Sequence, residues 1–180
     1  MSSNQTDGFL LGGTELVVVD SFRTENSFDG IEFGVTSQWQ KQSWVFGATS
    51  RFGFGNVQQR AIISGSTTTT VPGAAASEQP FGLLAAPSNI GTFERDEFGI
   101  LSDMRLELGY WLGPNLKFQL GYNLLFLSDV ARPGDLVSTT LDPTQIDPLA
   151  TSNANTVPAF AWQDNYLLLH GFSVGAEVRF

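Results

Sequence analysis

The chain of 180 residues contains no cysteine. That excludes a disulfide framework and a thiolate metal site. Histidine occurs once, at His170, so a multi-histidine metal site is excluded too. Charged residues are scarce at 15%, against roughly 25% in an average soluble domain. No apolar run reaches the length of about 18 residues that a transmembrane helix needs. Met1 to Gly8 is polar and has neither the basic nor the apolar region of a signal peptide. The glycine-rich stretch from Gly53 to Gly55 lacks the Gly-Lys-Ser/Thr ending of a phosphate-binding loop. No cofactor and no metal are expected. The net charge of −9 argues against nucleic acid as a partner.

Glycine (19) and phenylalanine (15) are abundant instead. The apolar residues are spread out, alternating with polar ones. A period of two is the mark of a strand with two unlike faces. Six stretches show it. Thr14 to Arg23 is the first. Phe28 to Trp39 sets Ile31, Phe33, Val35 and Trp39 against Glu32, Gly34, Thr36 and Gln38. Ser43 to Ile63 sets Trp44, Phe46, Phe52 and Phe54 against Gly47, Thr49, Arg51 and Gly53. Phe98 to Leu112 sets Ile100, Met104, Leu106 and Tyr110 against Asp103, Arg105 and Glu107. Leu116 to Val130 sets Phe118, Leu120, Tyr122 and Phe126 against Lys117, Gln119 and Asn123. Asn165 to Phe180 sets Tyr166, Leu168, Phe172 and Val174 against Ser173, Gly175, Glu177 and Arg179.

One face is long and large in side chain, and the other is small, polar or charged. Strands of about 5–6 residues are usual in soluble folds. Longer ones are expected where a tilted strand crosses an apolar band about 25 Å tall. The connections alternate in length. Gln40 to Gln42 and Gly113 to Asn115 are tight. The segments 64–95 and 131–164 are long and fall on the opposite side. This pattern predicts an all-β fold, an antiparallel up-and-down transmembrane β-barrel with short turns at one end and long outer loops at the other. Residues 1–13 read as a polar leader or the remnant of a preceding loop, and 14–180 as barrel. About six strands is fewer than the eight of the smallest common barrel, so the stretch is expected to be part of a larger one.

Several residues take candidate roles from this reading. Glu32, Arg51, Asp103, Arg105, Glu107, Lys117, Glu177 and Arg179 would line the pore, with their charges balanced in sign. Trp39, Trp44, Tyr110 and Phe118 would form an aromatic girdle at the membrane surface, the level that amphipathic rings prefer. If Trp39 faces Trp44 across the tight turn, Glu32 stands opposite Arg51. Ser173, Gly175, Val178 and the terminal Phe180 resemble the C-terminal assembly signal of outer-membrane barrels: polar, any, Gly, any, any, apolar, any, aromatic. That signal is read by the barrel-assembly machinery as an added edge strand. The expected partners are outer-membrane lipid and that machinery. A homo-oligomer is compatible with the same surface.

His170 falls on the apolar face. At roughly 3.3 Å per residue and a tilt near 40°, it lies about 25 Å above Phe180, at the outer interface. Ser128 is also outward-facing. A lipid-active hydrolase would use such a pair, but nucleophile and base need hydrogen-bond contact and an orienting third group. No outward Asn or Asp supplies one, so the chain is read as non-enzymatic. A soluble secreted β-sandwich or lipocalin-like binder is the other alternative.

Three stretches carry a family resemblance: Phe22 to Gly34 (FRTENSFDGIEFG), Gly82 to Phe98 (GLLAAPSNIGTFERDEF) and Leu108 to Asp135 (LGYWLGPNLKFQLGYNLLFLSDVARPGD). With the terminal strand they resemble a putative β-barrel porin family of bacterial outer membranes, the seventh class so named. The resemblance covers most of the chain from about Thr14 onward. It implies an integral protein of the bacterial outer membrane with a porin-like role, passive diffusion, or a structural one. It supplies no catalytic residues.

Overall fold

Alternation of large apolar with small polar residues drives nearly every described segment into extended chain. A computed structural model describes residues 1–11, 13–138, 140 and 157–180. Among the described residues seven strands form: β1 Ser2–Leu11, β2 Thr14–Lys41, β3 Trp44–Thr70, β4 Ser77–Gln79, β5 Gly91–Leu112, β6 Leu116–Leu127 and β7 Leu167–Val178. A 3-10 turn spans Pro133–Leu136, and no α-helix occurs among the described residues. The sheet runs in the order β1-β2-β3-β5-β6-β7, with the short β4 beside β3. β1 with β2, β3 with β4, β5 with β6 and β6 with β7 all pair antiparallel. The fold is thus all-β with the up-and-down order that the alternation predicts.

Three boundaries and one register differ from the sequence reading. Residues 2–11 are neither leader nor loop: they form β1, paired with β2 from Leu11↔Thr14 to Ser2↔Arg23. Polar composition hid this strand, because backbone pairing does not need an apolar face. The first two predicted strands are one strand of 28 residues, β2. The polar run Thr24 to Asn26 looked like a break, yet Thr24 is buried and Asn26 is hydrogen-bonded inside the fold. The long segment expected over 64–95 shrinks to 71–90, since β3 continues to Thr70 and β5 starts at Gly91. The four threonines that end β3 suit strand backbone while giving no hydropathy contrast. The loop expected over 131–164 does leave the sheet at both described ends; its central part, 141–156, lies outside the described residues.

The fourth difference is register. Thr36 Oγ1 lies 3.3 Å from Thr49 Oγ1, and the rings of Trp39 and Phe46 are 5.4 Å apart. A Cβ on Gly30 would lie 2.8 Å from Gly55 Cα. Together these contacts set Gly30 opposite Gly55, Thr36 opposite Thr49 and Trp39 opposite Phe46. The hairpin closes through Gln42 and Ser43, and Gln42 takes a left-handed φ of 54°, as two-residue hairpins require. Trp39 therefore does not face Trp44. The slip is by two residues, so every side chain keeps its predicted face.

Two compact units can be described. One comprises 1–26, 59–95 and 131–164; the other comprises 27–58, 96–130 and 165–180. The first, here the packed unit, has a true core: Phe22, Ala61, Ile63, Ala85 and Leu136, with Leu84, Ile90, Phe93, Val137, Phe160 and Trp162 against it. The second, here the open unit, holds both tight turns and the C-terminal strand. Its apolar side chains point away from the polar ones without forming a core.

Candidate functional site: the two faces of the sheet

The open unit presents one polar face. Arg51 sits between two carboxylates, 3.8 Å from Glu32 and 3.8 Å from Asp103. The Glu32 pair forms on the diagonal, because Arg51 stands opposite Gly34, where a Cβ would touch its Cγ at 3.0 Å. Lys117 meets Glu177 at 2.7 Å, and Arg179 meets the same carboxylate at 3.0 Å. Arg179 also lies over the Trp111 ring, 4.2 Å from its centre. Arg105 donates from Nε to Asn123 Oδ1 at 2.9 Å. Glu107 has no hydrogen-bond or ion-pair partner among the described residues. The eight predicted lining residues thus share one face. Of these contacts only Glu32 with Arg51 is expected from the sequence, and there as a directly opposed pair, since a period of two fixes the face and not the neighbour.

The opposite face is apolar and exposed. Ile31, Val35, Phe172 and Val174 each leave more than seven-tenths of their surface uncovered. Trp44, Tyr110 and Phe118 form one row across three strands: the Trp44 and Tyr110 rings are 4.7 Å apart and edge-on, and Tyr110 pairs with Phe118. Trp39 stands one row further in, against Phe46. Three of the four predicted girdle residues are therefore aligned, and the fourth is displaced by the register.

His170 pairs with Leu124, within the exposed apolar face. Leu168 and Tyr166 continue that face beyond it, both exposed. It is not at the end of the face, as counting from Phe180 suggested. Towards Phe180 the face runs past the aromatic row, in which Phe118 pairs with Ala176, to the exposed Leu112 and Val178. The His170 ring lies 6.3 Å from that of Tyr122. Ser128 is elsewhere: its Oγ accepts the Ile100 N–H at 2.9 Å. Continuing the register puts Ser128 four pairs along from Leu124, roughly 13 Å at strand spacing. The structure does not bring Ser128 and His170 together.

The C-terminal strand is held as an ordinary ladder member. Ser173 pairs with Gly121, Gly175 with Gln119 and Val178 with Leu116. Asn115, in the Gly-Pro-Asn turn, grips the strand's end: its carbonyl accepts Arg179 N–H at 2.8 Å and its side chain donates to Arg179 O at 3.0 Å. Phe180 projects fully exposed.

The packed unit contains a feature that the sequence reading missed. Asp20 is buried, and its carboxylate accepts three backbone N–H groups, from Leu83 (3.3 Å), Leu84 (3.0 Å) and Ala85 (2.7 Å). Asn89 closes the same loop, accepting Ala86 N–H at 2.8 Å and donating to Leu84 O at 3.0 Å. A Cβ on Gly82 would collide with the Asp20 carboxylate, so only glycine admits the approach. Asn26 holds a second segment: it donates to Ala131 O at 3.0 Å and accepts Ala131 N–H at 2.8 Å. A third is pinned by Arg95, which bonds Asp164 at 2.7 Å and lies over Trp162. The GLLAAPSN and RPGD stretches noted in the sequence are two of these folded-in segments. The signal that could have found them was a lone acid, Asp20, in an otherwise apolar run.

An antiparallel meander with one polar face and one exposed apolar face defines a β-barrel membrane protein rather than a soluble sandwich. The family model described as putative beta barrel porin-7 matches residues 2–180, and the chain belongs to that family. At the coarse level it is a porin-like outer-membrane barrel. No curated protein and no solved structure matches it.

Proposed function

We propose that this chain lies in the bacterial outer membrane as β-barrel wall, its apolar face against lipid, and gives small polar solutes a passive route along its polar face. The observation that carries the reading is the exposed apolar face. Such a surface, with large apolar side chains uncovered on β2, β3, β5, β6 and β7, is the kind that a soluble monomer rarely leaves in water. Lipid is the solvent that removes the cost. The aligned row of Trp44, Tyr110 and Phe118 supports an interface at the tight turns, and the terminal Ser173, Gly175, Val178 and Phe180 suit recognition by the assembly machinery. The role proposed is passive, and the separation of Ser128 from His170 speaks against the hydrolase that would use that pair.

A closed, structural barrel is favoured by one specific observation. In the packed unit, Phe22, Ala61, Ile63 and Phe93 occupy the same alternate positions of β2, β3 and β5 that carry charge further along, and folded-in segments cover them. One preparation separates the readings. Fractionation should place the chain in the outer membrane with heat-modifiable gel mobility, and recovery in the soluble fraction would overturn the membrane assignment. Conductance steps in a planar bilayer would then support diffusion, and a silent bilayer would favour the structural role.

A further inference from the structure

On the polar face of the open unit the charges are not equivalent. Glu32, Asp103 and Glu177 each have a cationic partner, and Arg51, Lys117 and Arg179 each have an anionic one. Arg105 and Glu107 do not. Arg105 spends only its Nε on Asn123, which orients the guanidinium and leaves both terminal nitrogens as donors. Glu107 is unpartnered among the described residues, and both side chains are exposed. They stand at alternate positions of β5, roughly 7 Å apart along the strand. Between them and the neighbouring strands lies a hollow of about 220 Å³, with Thr36, Thr49, Lys117 and Gln119 also in its wall. Glycines make the room: Gly47 and Gly109 are in its lining.

From this we infer that the hollow is a binding subsite for a small zwitterion of the α-amino-acid type. The terminal nitrogens of Arg105 would take the solute carboxylate in a two-point grip, the geometry that guanidinium favours. The Glu107 carboxylate would accept from the solute ammonium. The hydroxyl and amide groups in the wall serve the remaining donors and acceptors. Two unpaired charges of opposite sign at this spacing match a solute that carries both. A lone anion or cation would satisfy one and leave the other unmet. The volume falls below the roughly 300–1,000 Å³ of pockets for drug-sized ligands, which suits a single amino acid. This inference deepens the proposed diffusion role, since a weak subsite on the route would select what passes.

The test uses the full chain folded in detergent micelles and equilibrium dialysis with labelled alanine. Propionate, propylamine and glycerol serve as anionic, cationic and neutral solutes of similar size. Alanine should bind saturably and the other three at least about tenfold more weakly. Glu107→Gln and Arg105→Gln should each weaken alanine by about tenfold or more. The double exchange Arg105→Glu with Glu107→Arg should recover most of the binding, which guards against a variant that merely misfolds. Equal binding by wild type and both single variants, or by propionate and alanine, would overturn the subsite. Bilayer conductance on the same preparation separates the two ideas. Conductance without alanine binding removes the subsite alone, and alanine binding without conductance removes diffusion alone.

Discussion

Asp20 Oδ1 lies 2.7 Å from the amide nitrogen of Ala85, a residue 65 positions along the chain. The carboxylate is buried and also accepts from Leu83 and Leu84. One side chain therefore satisfies three amides that would otherwise be unpaired in a folded-in loop. Removing it orphans all of them, at about 1–3 kcal/mol per buried group. Asp20→Ala should lower stability by roughly 3 kcal/mol or more. Asp20→Asn keeps one acceptor and should lose less. Hydrogen exchange at residues 83–85, compared among the three proteins, measures it directly: protection should fall there first.

Gly55 packs against the opposite strand more tightly than a side chain allows. A Cβ would meet Asp29 O, and Gly30 Cα at 2.5 Å, both backbone atoms that cannot rotate aside. Gly171 has nothing within 4 Å of its own missing Cβ. Gly55→Ala should cost about 1–3 kcal/mol, as overpacking does, while Gly171→Ala should be nearly neutral. Urea titration of refolding into detergent should separate the two.

The lipid assignment makes a depth-dependent prediction. Val35 lies among the exposed apolar residues several rows from the turns, whereas Leu112 adjoins the Gly113 turn. Val35→Arg should cost about 2–4 kcal/mol and Leu112→Arg about 0–1 kcal/mol. The folded fraction by heat-modifiable mobility in vesicles gives both numbers. Equal costs would argue that the face meets protein and not lipid.

Faces were legible in the sequence and neighbours were not. Ile31, Phe33 and Val35 announce a side because lipid demands a large apolar residue at each second place. A shift by two preserves that pattern, which is why Trp39 was set opposite Trp44 when Phe46 is its partner. The packed core was hidden for another reason. Asp20, Thr24 and Asn26 are polar, so they read as surface or as a break. The hydrogen bonds of Asp20 and Asn26 run to residues 83–85 and 131, a separation at which local pattern carries no information. Arg105 and Glu107 were placed on the right face, but their lack of partners appears only once Arg51, Lys117 and Arg179 are seen to be taken.

Phe180 ends the chain fully exposed, beyond the last ladder pair of β7. Its ring adds nothing to the folded sheet, so a role in assembly predicts a kinetic effect only. Deleting Phe180 should reduce the assembled fraction in cells severalfold, yet leave the urea midpoint of protein refolded in detergent unchanged. A fallen midpoint would show that the ring stabilises the folded state instead.

Asn26 bonds the peptide of Ala131 through both its oxygen and its nitrogen. A side-chain amide there copies what a neighbouring strand would offer, so the chain departs β6 with its backbone already satisfied. Ser88, donating to Pro158 O at 2.7 Å, secures the returning end. The two moorings lie at the ends where the chain leaves the packed unit's described part and comes back to it, so Asn26→Ala should free the peptide of Ala131 while Ser88 still holds Pro158.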